Sequence, residues 1–218
     1  MKKSLIALLF FIFSFVIYAN AIDRIFVKMP DEYYMFQGKE SRAGLLKAYI
    51  NKDTLGVKNR FGGKSYMLAL DIPNDFLRVR NTQISTLEMK LWHTQTGKEI
   101  VGVNITTCIP MCDSNVGFFG ENWQYLKDAV LPRIGIIDFL NVERIHAEGK
   151  KLEDIVAAFD LVYFQYVFPQ EGTDIVVKLI VDKSLDADNK SPLLSYLKGK
   201  ELTLVWKNDV FEKGVMSW

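Results

Sequence analysis

The chain of 218 residues has only two cysteines and two histidines. Cys108 and Cys112 stand four positions apart, and His93 and His146 lie in unrelated contexts. That inventory has the number but not the spacing of a Cys2His2 zinc site, so no metal is expected. A G-x-S-x-G elbow is missing, which removes the usual signature of a serine hydrolase. No Gly/Ser-rich or Pro-rich linker divides the chain, and no segment is of low complexity. Charge of one sign is not in excess, with 27 basic against 26 acidic residues. A balanced surface offers no electrostatic case for nucleic acid or for an anionic membrane. Beyond the first 21 residues no apolar run approaches the roughly 20 residues of a spanning helix.

What is present first is an export pattern. "MKKSLIALLFFIFSFVIYANA" places Lys2 and Lys3 before an apolar run and closes on Ala19-Asn20-Ala21. That is the layout of a secretory signal peptide, cleaved after Ala21. Its short Lys-Lys start fits a bacterial signal. The mature chain, Ile22 to Trp218, loses Lys2 and Lys3 and keeps 25 basic and 26 acidic residues, with no stable membrane span after cleavage. It is long enough to bury a sizeable core.

The period of the apolar residues then sets a coarse architecture. Residues 31–50 hold helical pieces, with Pro30 and Asp31 at one start and Ser41 as the cap of a second short helix. From residue 57 the chain turns to strands, "KSYMLALDI" and "FLRVRN" about a Pro73-Asn74-Asp75 turn. "STLEMKLWH" alternates Leu87, Met89 and Leu91 with Glu88, Lys90 and Trp92, which predicts a half-buried strand. "TQTGK" turns it back into "EIVGVNITT". A strand "NVGFFG" follows the cysteines. Beyond Trp123 the order repeats: a helix "LEDIVAAFD", strands "LVYFQYVF" and "TDIVVKLIVDK", a short helix "PLLSYLKG" and a strand "KELTLVW". The fold class expected is α+β, short helices on an antiparallel β-meander. The domain plan is a signal peptide over 1–21, a first α+β half over 22–122 and a second over 123–218. The halves are either diverged tandem repeats or one continuous domain. The segments ending at Trp92 and Trp206 rhyme, although their in/out parity differs.

Several of these blocks together resemble a known family. "KMPDEYY", "VKNRFGGKSYMLAL", "STLEMKLW", "TTCIPMCDSNVGFFGENW" and "ELTLVWKNDVFEKG" are similar to the domain-of-unknown-function 3256 family of secreted proteins from gut-type Gram-negative bacteria. The resemblance implies a shared fold and a periplasmic compartment. It implies no reaction, cofactor or catalytic residue.

The candidate sites follow from the residues alone. An oxidising compartment favours a disulfide between Cys108 and Cys112, with Pro110 shaping the loop and Asp113 and Ser114 making turn bonds. Free thiols and a redox pair remain alternatives, although three residues rather than two separate the cysteines. "RFGGKS" ends like a phosphate loop, but Lys58 stands where the first glycine belongs. It reads instead as a bend with Gly62 or Gly63 at positive φ, and Gly62, Gly63, Lys64 and Ser65 become candidate contacts for a small anion or peptide. "DADNKS" at 186–191 fails the calcium-loop pattern at two positions, Lys190 and Ser191. Trp92, Asp113, Tyr163 and Tyr166 complete the candidate binding residues, the tyrosines as stacking surfaces or as core. No catalytic set assembles. The expected function is a non-enzymatic binding or interaction module of the cell envelope, its partner an envelope protein, peptide or glycan. The rival is an envelope enzyme, either a hydrolase with scattered carboxylates or a thiol-disulfide protein using Cys108 and Cys112.

Overall fold

The structure, a computed structural model, describes residues 21–126, 129–182 and 192–218. The stretch 186–191 and the first 20 residues of the predicted signal peptide lie outside these. Two antiparallel meanders make up the strand structure. The first runs in order through β1 (Val57–Lys58), β2 (Lys64–Asp71), β3 (Phe76–Arg80), β4 (Ser85–His93), β5 (Glu99–Cys108) and β6 (Cys112–Gly120). The second runs through β7 (Val162–Val167), β8 (Ile175–Val181), β9 (Glu201–Lys207) and β10 (Val210–Ser217). Helices are the minor part: α1 (Ala21–Lys28), α2 (Lys39–Ile50), α3 (Val142–Ala147) and α4 (Leu152–Ala158), with short 3-10 turns. The fold is α+β, as expected.

Local chemistry explains the turns. Asn208 and Asp209, at φ 52° and 66°, join β9 to β10 as a two-residue hairpin. Two positive φ values match the twist of the flanking strands, and Asn and Asp tolerate that region. β10 itself has no counterpart in the expected strands. α1 is also new, and its apolar residues Ile22, Ile25 and Phe26, with Met29 just beyond its end, fall at helical spacing, so one face is buried. Ser41 is not a cap. α2 starts three residues earlier than a Ser41 cap would place it, with Gly38 in the cap position.

Both faces of the first sheet are covered. One face packs Leu77, Val79, Leu87, Met89 and Val101 against Phe26 of α1 and Leu45 of α2. The other joins Phe76, Trp92, Ile100 and Phe118 to Phe168, just past β7, and to Ile175, Leu204 and Phe211 of the second sheet. This corrects the half-buried strand expected over 85–93. Glu88 and Lys90 are buried along with their apolar neighbours, because the second sheet stands on the face that they occupy.

The join between the sheets is made edge to face. A strand edge carries unpaired N–H and C=O groups, and side chains of the first sheet satisfy those of β7. The N–H of Phe164 donates to Asp113 Oδ1 at 3.4 Å, that of Tyr166 to Ser114 Oγ at 3.0 Å, and that of Phe168 to Glu88 Oε2 at 3.0 Å. Asn104 Nδ2 donates to the carbonyl of Tyr166 at 2.7 Å and to Glu88 Oε2 at 3.0 Å. Arg78 holds the other oxygen of Glu88, with Nη2 2.7 Å away. Buried polar groups of the first sheet thus serve as the register marks for the second.

Several carboxylates fix the acid limb of stability. Asp31 is held below the usual range by Arg60 and Arg42, Asp71 by the Gln170 and Asn74 amides, and Glu148 by the Tyr196 hydroxyl and Arg144. Depressed folded values mean that the carboxylates stabilise the fold above their unfolded pKa of about 4. That contribution is lost as pH falls through the folded values. Glu99, raised by burial, acts in the opposite sense but alone. The melting temperature is therefore expected to fall between pH 5 and pH 3. A flat or rising melting curve over that range would contradict the assignment.

Candidate functional site

The outer side of β2 is a long strand edge left open beside a cleft. β1 pairs with β2 only at Ser65 and Lys64, while β2 continues to Asp71 with β3 on its other side. Among the described residues no strand lies along the outer edge of Tyr66–Asp71. There the last turns of α2 and the loop 51–56 stand off and leave a cleft of about 560 Å³. Its walls include Leu45, Ala48, Tyr49, Tyr66, Met67 and Leu70. The apolar character extends over the rim, where Ile50 and Leu55 are each 69 % exposed and Leu68 is 45 % exposed.

Short-range chemistry builds this opening. α2 ends as Asn51 N–H bonds the Lys47 carbonyl, and Lys52 takes a left-handed φ of 56°. Asp53 Oδ1 then accepts the N–H of Leu55 at 2.7 Å, a local Asx-type bond. Gly56 has φ +70°, and a Cβ there would lie 2.5 Å from the Tyr66 ring. Only glycine lets that ring fold over the loop. The Arg80 guanidinium covers the Tyr66 ring at 4.6 Å from its centroid, fixing it further.

Arg42 holds the helical wall. It is 1 % exposed. Nη1 donates to Asp31 Oδ1 at 2.9 Å and to the Gln37 carbonyl at 2.6 Å. Nη2 donates to the Val27 carbonyl at 3.1 Å and to that of Met29. One guanidinium therefore ties the end of α1 and the 3-10 turn at Asp31–Tyr33 to α2.

The residues singled out from sequence are dispersed. Gly62, at φ +81°, Gly63 and Lys64 are exposed in the turn that launches β2. Asn59 organises that turn: its Oδ1 accepts the N–H groups of Phe61 and Gly63, each at 3.0 Å. Ser65 is buried, donates to the Asn81 carbonyl at 3.1 Å, and lines the cleft. Cys108 and Cys112 are directly opposite at the tip of β5–β6, their sulfurs at the disulfide distance of 2.05 Å, with a cis Ile109–Pro110 bond between them. Asp113 takes part in the contact with β7. Trp92 lies 1 % exposed at the centre of the core, out of reach of a ligand at the surface. Tyr163 and Tyr166 are half-buried on β7, and burial pushes the Tyr166 phenol up to about 12. His93 contacts Asp75 at 2.8 Å at an exposed sheet end.

A family model described as "Protein of unknown function (DUF3256)" matches residues 14–211. The chain belongs to this family. No curated protein matches it. Among solved structures it is similar to a domain of an uncharacterized protein from Porphyromonas gingivalis W83. The two are 19 % identical, the match covers 89 % of this chain and 98 % of that one, and the TM-score is 0.64. At that identity the likeness shows the fold. In this DUF3256 member the β2 cleft was missed by sequence reasoning, and the available signal was Gly56 followed by a two-residue strand amid exposed Ile50, Leu55 and Leu68. Chemically the cleft can bind. Its lining holds one carboxylate, Asp53, already engaged with the Leu55 N–H.

Proposed function

We propose that the protein is a non-enzymatic binding module of the bacterial cell envelope that captures an extended peptide segment by strand addition to β2. The observation that carries this is the unpaired edge at Tyr66–Asp71 running beside an apolar cleft. A peptide laid on such an edge gains main-chain hydrogen bonds, and its alternate side chains enter the cleft, which supplies specificity. The exposed Ile50, Leu55 and Leu68 favour a partner with apolar residues.

Ala48→Trp fills the cleft from a half-buried position on α2 and leaves the sheet untouched. Peptides selected on the wild-type protein from a displayed random library are expected to carry apolar residues at alternate positions. They should bind Ala48→Trp about tenfold or more weakly by calorimetry, at unchanged melting temperature. Equal affinity for the two proteins would overturn the reading.

We also infer export to the periplasm with removal of residues 1–21. The sequence pattern supports it, and Ile22, just after the cut, is the first buried residue among those described. N-terminal sequencing of the secreted protein should begin at Ile22; a start at Met1 would contradict it. The division at 122/123 into diverged tandem halves is proposed on the same basis: each half places helices before a meander. Failure of β3–β6 to superpose on β7–β10 strand for strand would remove it.

A further inference from the structure

We propose that the protein carries a second binding site, for a neutral saccharide, in an aromatic groove at the β6 edge of the first sheet. β2 and β6 are close to opposite edges of that sheet, so this site is independent of the peptide cleft. After β6 the chain doubles back. Gly120 N–H bonds the Gln124 carbonyl, Leu126 N–H bonds the Phe118 carbonyl, each at 2.9 Å, and Phe119 pairs with Tyr125. Between this return, β6 and the 3-10 turn at Asp31–Tyr33 lies a groove of about 380 Å³. That volume is within the ~300–1,000 Å³ of small-ligand sites.

Rings form its walls. The lining rings are Tyr33, Phe119 and Tyr125, with Tyr33 and Phe119 centroids 4.4 Å apart and Phe119 and Tyr125 5.5 Å; Trp123 lies outside the lining and packs on Phe119 at 5.3 Å. Trp123 stacks on Tyr33 at 6.0 Å with 22° between planes. Tyr125 is 50 % exposed, offering a face to solvent. The floor includes Gly117, where a Cβ would meet the Phe119 ring at 2.9 Å. A side chain there would push the rings into the groove.

Polar groups stand beside these faces. Glu32 and Asn115 line the groove and are exposed. Neither their side chains nor the hydroxyls of Tyr33 and Tyr125 bond another described residue. A pyranose has the matching chemistry: a C–H face to lie on an aromatic ring and hydroxyls around its edge for a carboxylate, an amide and phenols. Among the described residues Glu32 is the only charged one of the lining. An anionic sugar or a phosphate would therefore meet a like charge, which is why the ligand is neutral. Trp123 adds a separate observation. It holds φ +60°, a region that a bulky residue enters only at an energetic cost and that is concentrated at functional sites. In that conformation the indole stacks on Tyr33 and packs at a tilt on Phe119.

The test is an array of neutral glucans, mannans, galactans, xylans and chitin fragments, followed by calorimetry with the best binder. Binding at about 1 mM or tighter is expected, with Tyr125→Ala weakening it about tenfold and Asn115→Ala by a smaller factor. Ala48→Trp should leave it unchanged. Both Tyr125 and Asn115 are exposed, so melting temperatures should match the wild type. Absence of binding to every neutral glycan at millimolar concentration overturns the proposal. So does a glycan that binds Tyr125→Ala and Asn115→Ala as tightly as the wild type.

Discussion

Trp92→Ala is expected to cost about 4 kcal/mol of stability, from the ~3–5 kcal/mol typical of removing a large buried aromatic. For a chain of this size that is a fall of roughly 8–16 °C in melting temperature. Trp92 is 1 % exposed and packs on rings from both sheets. Phe118, on its own sheet, is 5.7 Å away, while Phe168 and Phe211, contributed by the second half of the chain, are at 5.2 Å and 5.3 Å. Its indole N–H donates to the Thr173 carbonyl at 2.8 Å, so the substitution also strips a partner from that backbone oxygen. Gly102 shows how tightly the site is filled: a Cβ there would lie 2.4 Å from the Trp92 ring. The packing predicts one cooperative transition in urea, with tryptophan fluorescence and far-ultraviolet circular dichroism superimposing. A loss below about 1 kcal/mol, or two separate transitions, would refute the shared core.

Arg42→Ala is expected to cost about 3–4 kcal/mol, in the range for breaking a buried, hydrogen-bonded charge pair from one side. The variant leaves the carbonyls of Val27, Met29 and Gln37 without their donor and leaves Asp31 with Arg60 alone. Unpaired buried acceptors are the larger part of that cost. Arg42→Lys should recover little, because an ammonium cannot reproduce the fork that reaches two directions at once. The loss has a functional consequence, since α2 is one wall of the β2 cleft. Peptides selected on the wild type should bind more weakly to Arg42→Ala than its stability at the assay temperature alone explains. Denaturation near wild-type midpoints would show that Arg42 is not the clamp.

Much of the strand order was legible along the chain, and the reasons are local. The alternation of Leu87, Met89 and Leu91, the Pro73-Asn74-Asp75 turn and the Thr94–Lys98 turn are short-range signals, and β2 to β6 fall close to where they point. The β9–β10 hairpin was less legible, because "VFEKG" carries exposed Glu212, Lys213 and Gly214 and lacks a clean alternation. The short α3 was hidden for a similar reason: "VERIHA" buries only Ile145.

The candidate sites fared differently, because a site is a meeting of distant residues. Trp92 and Trp206, which rhyme in sequence, meet with centroids 6.3 Å apart, and Gln95 N–H bonds Asp209 Oδ1 between the two hairpin turns. No periodicity announces that contact. Trp92 read as a candidate contact because it ends an apparently half-buried strand. The second sheet, which begins 70 residues after Trp92, turned that exposed face into core. The sequence by itself determined the α+β class, the antiparallel meanders, a glycine bend at Gly62 or Gly63 and Cys108 with Cys112 as the available thiols, all consequences of chemistry within a few residues. Only the tertiary structure decided that Glu88 and Asn104 would close the edge of β7 while the edge of β2 stayed open beside α2. Which strand edge is covered depends on how separate sheets and helices fill space against one another, and that information is spread over the whole chain.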